Sequence, residues 1–252
     1  MKRHHLAYLF STILTLGFSP AFAADQNAPA AQLEEIKWDA GTKVLVAGGG
    51  SSHDFQKWFN KADVATIRKA GPYAVHYTES PVTTAKELGN VDVLVSSTNQ
   101  KGFDTPELRK ALLDFADAGK GIVLIHPGLW YNWPWPEYNK VLAGGGARSH
   151  DALGEFEVKV IKEHPVTKGL PQSFKVTDEL YQVKQDPAGT PIEVLAQTST
   201  SGVTKKEHPS VWIVKHPKAR IVCIALGHDG RVHNMTEYQT LLNNAVSWAA
   251  GK

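Results

Sequence analysis

Short apolar segments alternate with segments of helical period in the first half of this 252-residue chain. Four runs have the composition of buried strands: residues 43–47, 74–78, 91–96 and 121–126. Helical patterns lie between them, over 63–70 and from Thr105, which is placed as an N-cap before a proline. Strand–helix–strand alternation at this spacing requires right-handed crossovers, so it predicts a parallel sheet flanked by helices.

The second half of the chain has a different pattern. Residues 155–161 alternate apolar and polar side chains, which is typical of an antiparallel strand with one buried face. Residues 192–196, 210–214 and 220–226 predict further strands, and 237–250 predicts a closing amphipathic helix. We therefore expect one α/β domain, with a mostly parallel sheet and additional antiparallel strands in its second half.

The N-terminal residues have the composition of an export signal. A basic start and an apolar run over 6–18 precede Ala21 and Ala23, which form a small-x-small cleavage pattern. The run is too short for a stable transmembrane helix, although an uncleaved amphipathic anchor is an alternative. We predict a signal peptide over 1–23, a linker over 24–40, a domain over 41–252, and a periplasmic or secreted mature protein free of the membrane.

Charge and cysteine content exclude several classes of function. The chain has 27 Lys+Arg and 25 Asp+Glu, and its net charge of +2 comes entirely from Lys2 and Arg3. A mature protein with balanced charge has no electrostatic footprint for nucleic acid or anionic membrane. The single cysteine, Cys223, lies inside an apolar strand, and the chain has no Gly-x-Ser-x-Gly elbow. Nucleophilic catalysis by cysteine or serine is therefore disfavoured.

Histidines follow the carboxyl ends of several predicted strands. His53, His126 and His228 follow three of them, and His150 lies in an adjacent loop. Since ligands in open parallel sheets bind beyond those ends, these side chains could converge on one site. Neutral imidazoles suit zinc or a similar divalent metal. No local metal-binding motif supports the site, so separate structural histidines are the alternative.

An aromatic segment and a carboxylate complete the candidate site. Trp130 and Trp133 follow the fourth strand in an irregular segment that fits either a wall for a sugar ring or a packing loop. Glu179 is a candidate metal ligand or general base, although solvated loop acids are more common. Tyr181 and Asp54 are candidates for contacting or supporting the substrate.

Taken in order, these motifs resemble the ThuA-like (trehalose utilisation) family of the class I glutamine amidotransferase-like superfamily. The resemblance covers about residues 43–250. It rests on 50–55 (GSSHDF), 92–95 (DVLV), 121–126 (GIVLIH) with Trp130 and Tyr138, Gly144 and Gly145 with His150, 164–171 (HPVTKGLP), 178–181 (DELY), 209–212 (PSVW), 220–229 (RIVCIALGHD) and the terminal Trp248.

The resemblance implies a flavodoxin-like core in which His126 takes the position of the superfamily's catalytic cysteine. It also implies a role in sugar catabolism, an oxidoreductase partner that makes 3-keto-glycosides and, in some members, a divalent metal. Metal-assisted cleavage of a keto-glycoside or related disaccharide, by hydrolysis or elimination, is then the leading hypothesis.

In this hypothesis the four histidines hold the metal, and Glu179 or a histidine such as His126 moves the proton. Trp130, Trp133, Tyr181 and Asp54 are the predicted substrate contacts. A non-catalytic carbohydrate-binding or oxidoreductase-partner module is the alternative.

Overall fold

The computed structural model describes residues 35–98 and 103–252. The predicted signal peptide over 1–23 and the first part of the predicted linker lie outside this region. All described residues belong to one compact unit, Leu33–Lys252. Within the described part, no helix combines the length and the apolar character that a membrane span requires.

Strands and helices alternate through the first half, as the sequence predicts. The elements are β1 (Thr42–Ala47), a π-helical segment (Gln56–Asp63) continued by α1 (Val64–Ala70), β2 (Tyr73–Thr78), α2 (Pro81–Glu87), β3 (Val93–Ser96), α3 (Pro106–Asp117) and β4 (Gly121–Ile125). Prolines begin α2 and α3, where the missing N–H is not needed. The hydroxyls of Ser80 and Thr105 cap these two helices.

The second half consists mainly of strands. Its strands are β5 (Gly145–His150), β6 (Gly154–Val160), β7 (Ser173–Asp178), β8 (Tyr181–Gln185), β9 (Ile192–Thr198), β10 (Pro209–Val214) and β11 (Arg220–Ile224). Two helices, α4 (Gly230–His233) and α5 (Thr236–Ala249), close the chain.

One large sheet combines both halves of the described chain. It has nine strands in the order β2-β1-β3-β4-β11-β10-β9-β6-β7, while β5 and β8 form a separate pair. The five strands from β2 to β11 are parallel, and the remaining four pair antiparallel. The predicted fold class, a mostly parallel sheet with antiparallel strands added in the second half, is confirmed.

The apolar runs are continuous because both faces of the parallel sheet are buried. In β4, Val123 and Ile125 belong to a cluster that includes residues of α1 and α5. Ile122 and Leu124 belong to the opposite cluster, with Leu108 of α3. Side chains that alternate along one strand therefore fill two separate cores.

Some elements differ from the sequence expectations. The first helical segment begins at Gln56 rather than near residue 63, because the Asp54 carboxylate accepts the Lys57 N–H and the chain turns earlier. Helix α2 and strands β5 and β7 were not expected. Asp178, which directly precedes the predicted loop acid Glu179, is the last residue of β7.

Candidate metal centre

Four side chains converge at the carboxyl edge of the parallel strands. His53, His126 and His228 come from the segments after β1, β4 and β11, and Glu179 from the connection between β7 and β8. Each offers one ligand atom, and these atoms all lie within 4.8 Å of one another. His228 Nδ1 is 3.1 Å from His53 Nε2 and 3.3 Å from Glu179 Oε2. The structure thus brings three predicted histidines and the predicted carboxylate together.

His126 presents an unsatisfied nitrogen to this cluster. Its Nδ1 lies 2.7 Å from the Ala225 carbonyl oxygen and donates its hydrogen there, so Nε2 of the neutral ring carries a lone pair. Nε2 is buried, makes no hydrogen bond among the described residues, and lies 3.5 Å from Glu179 Oε2. Two electron-pair donors that face each other in a buried site fit a cation between them.

The backbone at His126 is strained. Its φ of 36° falls in a region that side-chain-bearing residues rarely adopt, at a cost of about 1–3 kcal/mol. The residue follows β4 directly and begins a short 3-10 helical turn, His126–Leu129. The Tyr181 ring stacks on the imidazole with centroids 4.1 Å apart and fixes its orientation. Such strain concentrates at functional sites.

The electrostatics of the cluster favour a neutral His53 imidazole and an ionised Glu179 carboxylate. Burial, followed by the nearby His126 and His228, lowers the pKa of His53 to about 3. Burial alone would raise the pKa of Glu179, but the direct interaction with His126 and the charges of His228 and His150 outweigh it and lower this pKa to about 2. Both groups are therefore in the protonation state that metal binding requires at neutral pH.

Asp178 holds the two ligand-bearing loops together, a role that the sequence analysis missed. Its fully buried carboxylate accepts three backbone N–H groups, from Glu179 at 2.8 Å, Gly227 at 2.8 Å and His228 at 3.1 Å. Burial raises the pKa of Asp178, and these hydrogen bonds oppose that rise. The end of β7 is thereby fixed to the loop after β11.

A second buried network supports the same loop from behind. His233 Nε2 donates to the Gly227 carbonyl at 3.1 Å, and its Nδ1 donates to Asp63 at 2.7 Å. The Tyr238 hydroxyl donates to the other Asp63 oxygen at 3.1 Å. Burial would lower the pKa of His233, but the charge and hydrogen bond of Asp63 outweigh it and raise the pKa. The sequence analysis did not identify any of these three side chains.

A cavity of about 420 Å³ opens beside the cluster. It is lined by Ser52, His53, Pro127, Trp130, His150, Glu179, Tyr181 and His228. Trp130 forms its aromatic wall with Tyr181, at 5.7 Å between ring centroids. His150 lies at the wall rather than among the closest ligand atoms, because its Nδ1 donates to the Asp151 carbonyl at 2.8 Å and stays 3.8 Å from Glu179 Oε1.

Two predicted substrate contacts lie outside this cavity wall. Asp54 is exposed and caps the first helical turn through the Lys57 N–H. Trp133 is 63% exposed and packs with Tyr131 and Arg148. Cys223 is fully buried in β11, and burial raises the pKa of its thiol, which agrees with the absence of thiol chemistry expected from the sequence.

A family model described as trehalose utilisation (ThuA) matches residues 43–249. The chain belongs to the ThuA family. Membership associates the protein with trehalose utilisation and sugar metabolism. A comparison with curated protein sequences found no match.

Solved structures of similar fold include a ThuA-like protein and glutamine amidotransferases. A putative ThuA-like protein from Bacteroides uniformis is 23% identical, with a TM-score of 0.67 over 82% of this chain and 91% of that one. A glutamine amidotransferase from Thermotoga maritima is 10% identical, with a TM-score of 0.54 over 85% and 100%. The carbohydrate deacetylase Agd3 is 12% identical, with a TM-score of 0.55 over 80% of this chain and 32% of that one. These likenesses confirm the flavodoxin-like, amidotransferase-like fold.

Proposed function

We propose that this ThuA-family protein is an exported, metal-dependent enzyme that cleaves a keto-glycoside derived from trehalose or a related disaccharide. The observation that carries the proposal is the buried His126 Nε2, which has no hydrogen bond among the described residues and faces Glu179 between two further imidazoles. The large majority of buried polar atoms in folded proteins have a hydrogen-bond partner, so a buried nitrogen without one points to a ligand. Imidazole nitrogens and carboxylate oxygens are both ligand types that zinc takes in proteins.

The residues that would hold the metal are His53, His126, His228 and Glu179. A divalent ion bound there supplies a Lewis acid for a ketone or enediolate oxygen. The Ala225 carbonyl fixes the tautomer of His126, as outer partners of metal ligands commonly do. His150 is assigned outside this set, because its Nδ1 is already engaged with the Asp151 carbonyl.

The cavity binds and orients the sugar. Trp130 and Tyr181 offer aromatic faces for a pyranose ring. A 3-keto group acidifies the hydrogen on C2, so His150, a base on the cavity wall outside the metal-ligand set, can take that proton. The C2–H electron pair then forms the C1=C2 double bond, the C1–O bond breaks, and the leaving oxygen takes up a proton. Addition of water to the product gives net hydrolysis.

The decisive experiment incubates the purified mature protein with 3-keto-trehalose, with zinc or with a chelator, and follows the released sugar. We expect zinc-dependent release, and we expect His150→Gln to lower kcat by at least about 100-fold, the scale of one proton-transfer group. His216→Gln is the matched control, since His216 lies in the turn between β10 and β11, at the opposite edge of the sheet. Saturable binding without turnover under every metal condition would instead support the non-catalytic carbohydrate-binding module.

Export and the source of the substrate are part of the same proposal. The signal-like pattern over 1–23 supports export, and N-terminal sequencing of the protein recovered from the periplasm should begin at Ala24. Because the chemistry requires a ketone, an oxidoreductase that oxidises a sugar hydroxyl must act before this enzyme. Full-length protein retained in the cytoplasm would contradict the assignment of its location.

A further inference from the structure

A patch next to the cavity consists of the exposed side chains of Trp133 and Arg148 and the buried Tyr131 ring on which they pack; we call these three residues the outer platform. Trp133 is 63% exposed and is the one aromatic among the exposed large apolar side chains of the described chain. Its ring centroid is 4.5 Å from that of Tyr131. The Arg148 guanidinium carbon is 4.2 Å from the centroid of the Tyr131 ring and 5.0 Å from that of Trp133.

The backbone links the outer platform to the cavity. Tyr131 directly follows Trp130, which lines the cavity, and its N–H donates to the Ala147 carbonyl at 2.8 Å. Arg148 follows Ala147 on β5 and precedes the cavity residue His150 by two positions, a separation of about 7 Å along a strand. The segments around Trp130 and His150 therefore contribute to both the cavity wall and the platform. The spacing of about 7 Å between platform and cavity residues is short enough for one ligand to contact both.

The chemistry of the platform fits a sugar ring. An indole face packs against the apolar face of a pyranose, and a guanidinium donates up to five hydrogen bonds to ring hydroxyls. No carboxylate among the described residues forms an ion pair with Arg148, so its donors are free for a ligand. One exposed tryptophan is far smaller than the surface that a stable protein partner would cover.

We infer that Trp133 and Arg148, supported by the buried Tyr131 ring, form an outer subsite that binds the departing sugar ring of a disaccharide while the other ring occupies the cavity. This inference rests on the proposed function and adds to it a preference for disaccharides over monosaccharides. The platform lies apart from the proposed metal ligands, so its loss leaves metal binding unchanged.

The test measures the Kd of trehalose and of glucose by calorimetry on the zinc-loaded mature protein. Neither sugar carries the ketone, so both bind without turnover. Trp133→Ala should weaken trehalose binding about 5- to 10-fold, the scale of one aromatic contact, and change glucose binding less than about twofold. Arg148→Ala should act in the same direction, and Trp133→Phe should retain most of the affinity. Zinc affinity should stay unchanged in all three variants.

Arg220→Ala is the matched control, because Arg220 lies over Trp248 at the opposite end of β11, 5.6 Å from that ring centroid. Equal loss of both sugars in Trp133→Ala, or no loss of either, overturns the outer subsite and leaves the proposed function standing if 3-keto-trehalose is still cleaved. A wild-type protein that binds neither sugar and does not cleave 3-keto-trehalose overturns both.

Discussion

The buried pair of Asp63 and His233 should make a large, pH-dependent contribution to stability. Both side chains are at most 1% exposed, and the His233 imidazolium donates to Asp63 and to the Gly227 carbonyl. Removing one partner of a buried ion pair costs about 3–5 kcal/mol. Asp63→Asn keeps an oxygen that can accept a hydrogen bond from His233, so we expect a loss of stability at the lower end of this range, about 3 kcal/mol. For a domain of this size that lowers Tm by about 6–12 °C.

The pH dependence of this stabilisation follows from the direction of the pKa shift. The pKa of His233 is raised above 6.5 in the folded protein by Asp63, with the Asp178 charge acting in the same direction. The contribution is therefore complete below pH 6.5 and is lost as the pH rises through the folded-state pKa. The difference in unfolding free energy between wild type and Asp63→Asn should fall by up to about 1.4 kcal/mol per pH unit above pH 6.5.

The assay is urea denaturation of both proteins from pH 5.5 to 8.5. Tyr238→Phe is the control, because it removes one hydrogen bond to Asp63, worth about 1 kcal/mol, and leaves the ion pair intact. The loss of unfolding free energy in Tyr238→Phe should not vary with pH. If the loss of unfolding free energy in Asp63→Asn is constant across this range, or absent at pH 6, the charged pair is refuted and a neutral hydrogen bond takes its place.

Four further predictions follow from named contacts. Zinc at 100 times its Kd should stabilise the wild type by about 2.7 kcal/mol and should not stabilise Glu179→Gln, as read by thermal melting. Asp178→Asn replaces one accepting oxygen by an NH2 group that cannot accept from the buried backbone N–H groups. It should lower zinc affinity at least tenfold in a calorimetric titration, and unchanged affinity would contradict the positioning role of Asp178. Gly121→Ala should lower the free energy of unfolding, measured by urea denaturation, by about 1–3 kcal/mol, because the added Cβ would lie 2.4 Å from the Ala249 carbonyl oxygen. The buried Cys223 thiol should stay unlabelled by an aromatic disulfide reagent until the protein unfolds.

The parallel half of the fold and three of the site histidines could be predicted because one physical rule governs both. Strands buried on two faces give continuous apolar runs, and parallel strands all end at the same edge. His53, His126 and His228 follow such runs, so their convergence could be expected before any distance was known. The carboxylate of Glu179 was a candidate on chemistry alone.

Asp178 was missed although its position carries a signal. Along β7, Phe174, Val176 and Asp178 occupy alternate positions and are all buried. A carboxylate at the third inward position of an amphipathic strand requires buried partners, and that pattern could have marked it as an anchor. The partners, at positions 227 and 228, lie about 50 residues away and follow from the fold, not from local sequence.

The network of Asp63, His233 and Tyr238 had no comparable signal. Asp63 and His233 are 170 residues apart, and each lies in a short helical segment where a polar residue is ordinary. The separation of Trp133 from the cavity also depends on the course of an irregular loop. Local patterns determine which face of a strand is buried, but they do not determine which loops meet.

The order of folding follows from where the four clustered side chains lie in the chain. His53 and His228 face each other across 175 residues, and His126 and Glu179 come from two further points between them. Contacts between such distant positions close long loops, and they form late because their entropy cost is met only after local structure exists. A truncated or partly folded chain cannot assemble this cluster. Under the proposed function, metal uptake would therefore be a measure of completed folding, and the exported chain would gain activity only after its last strand had joined the sheet.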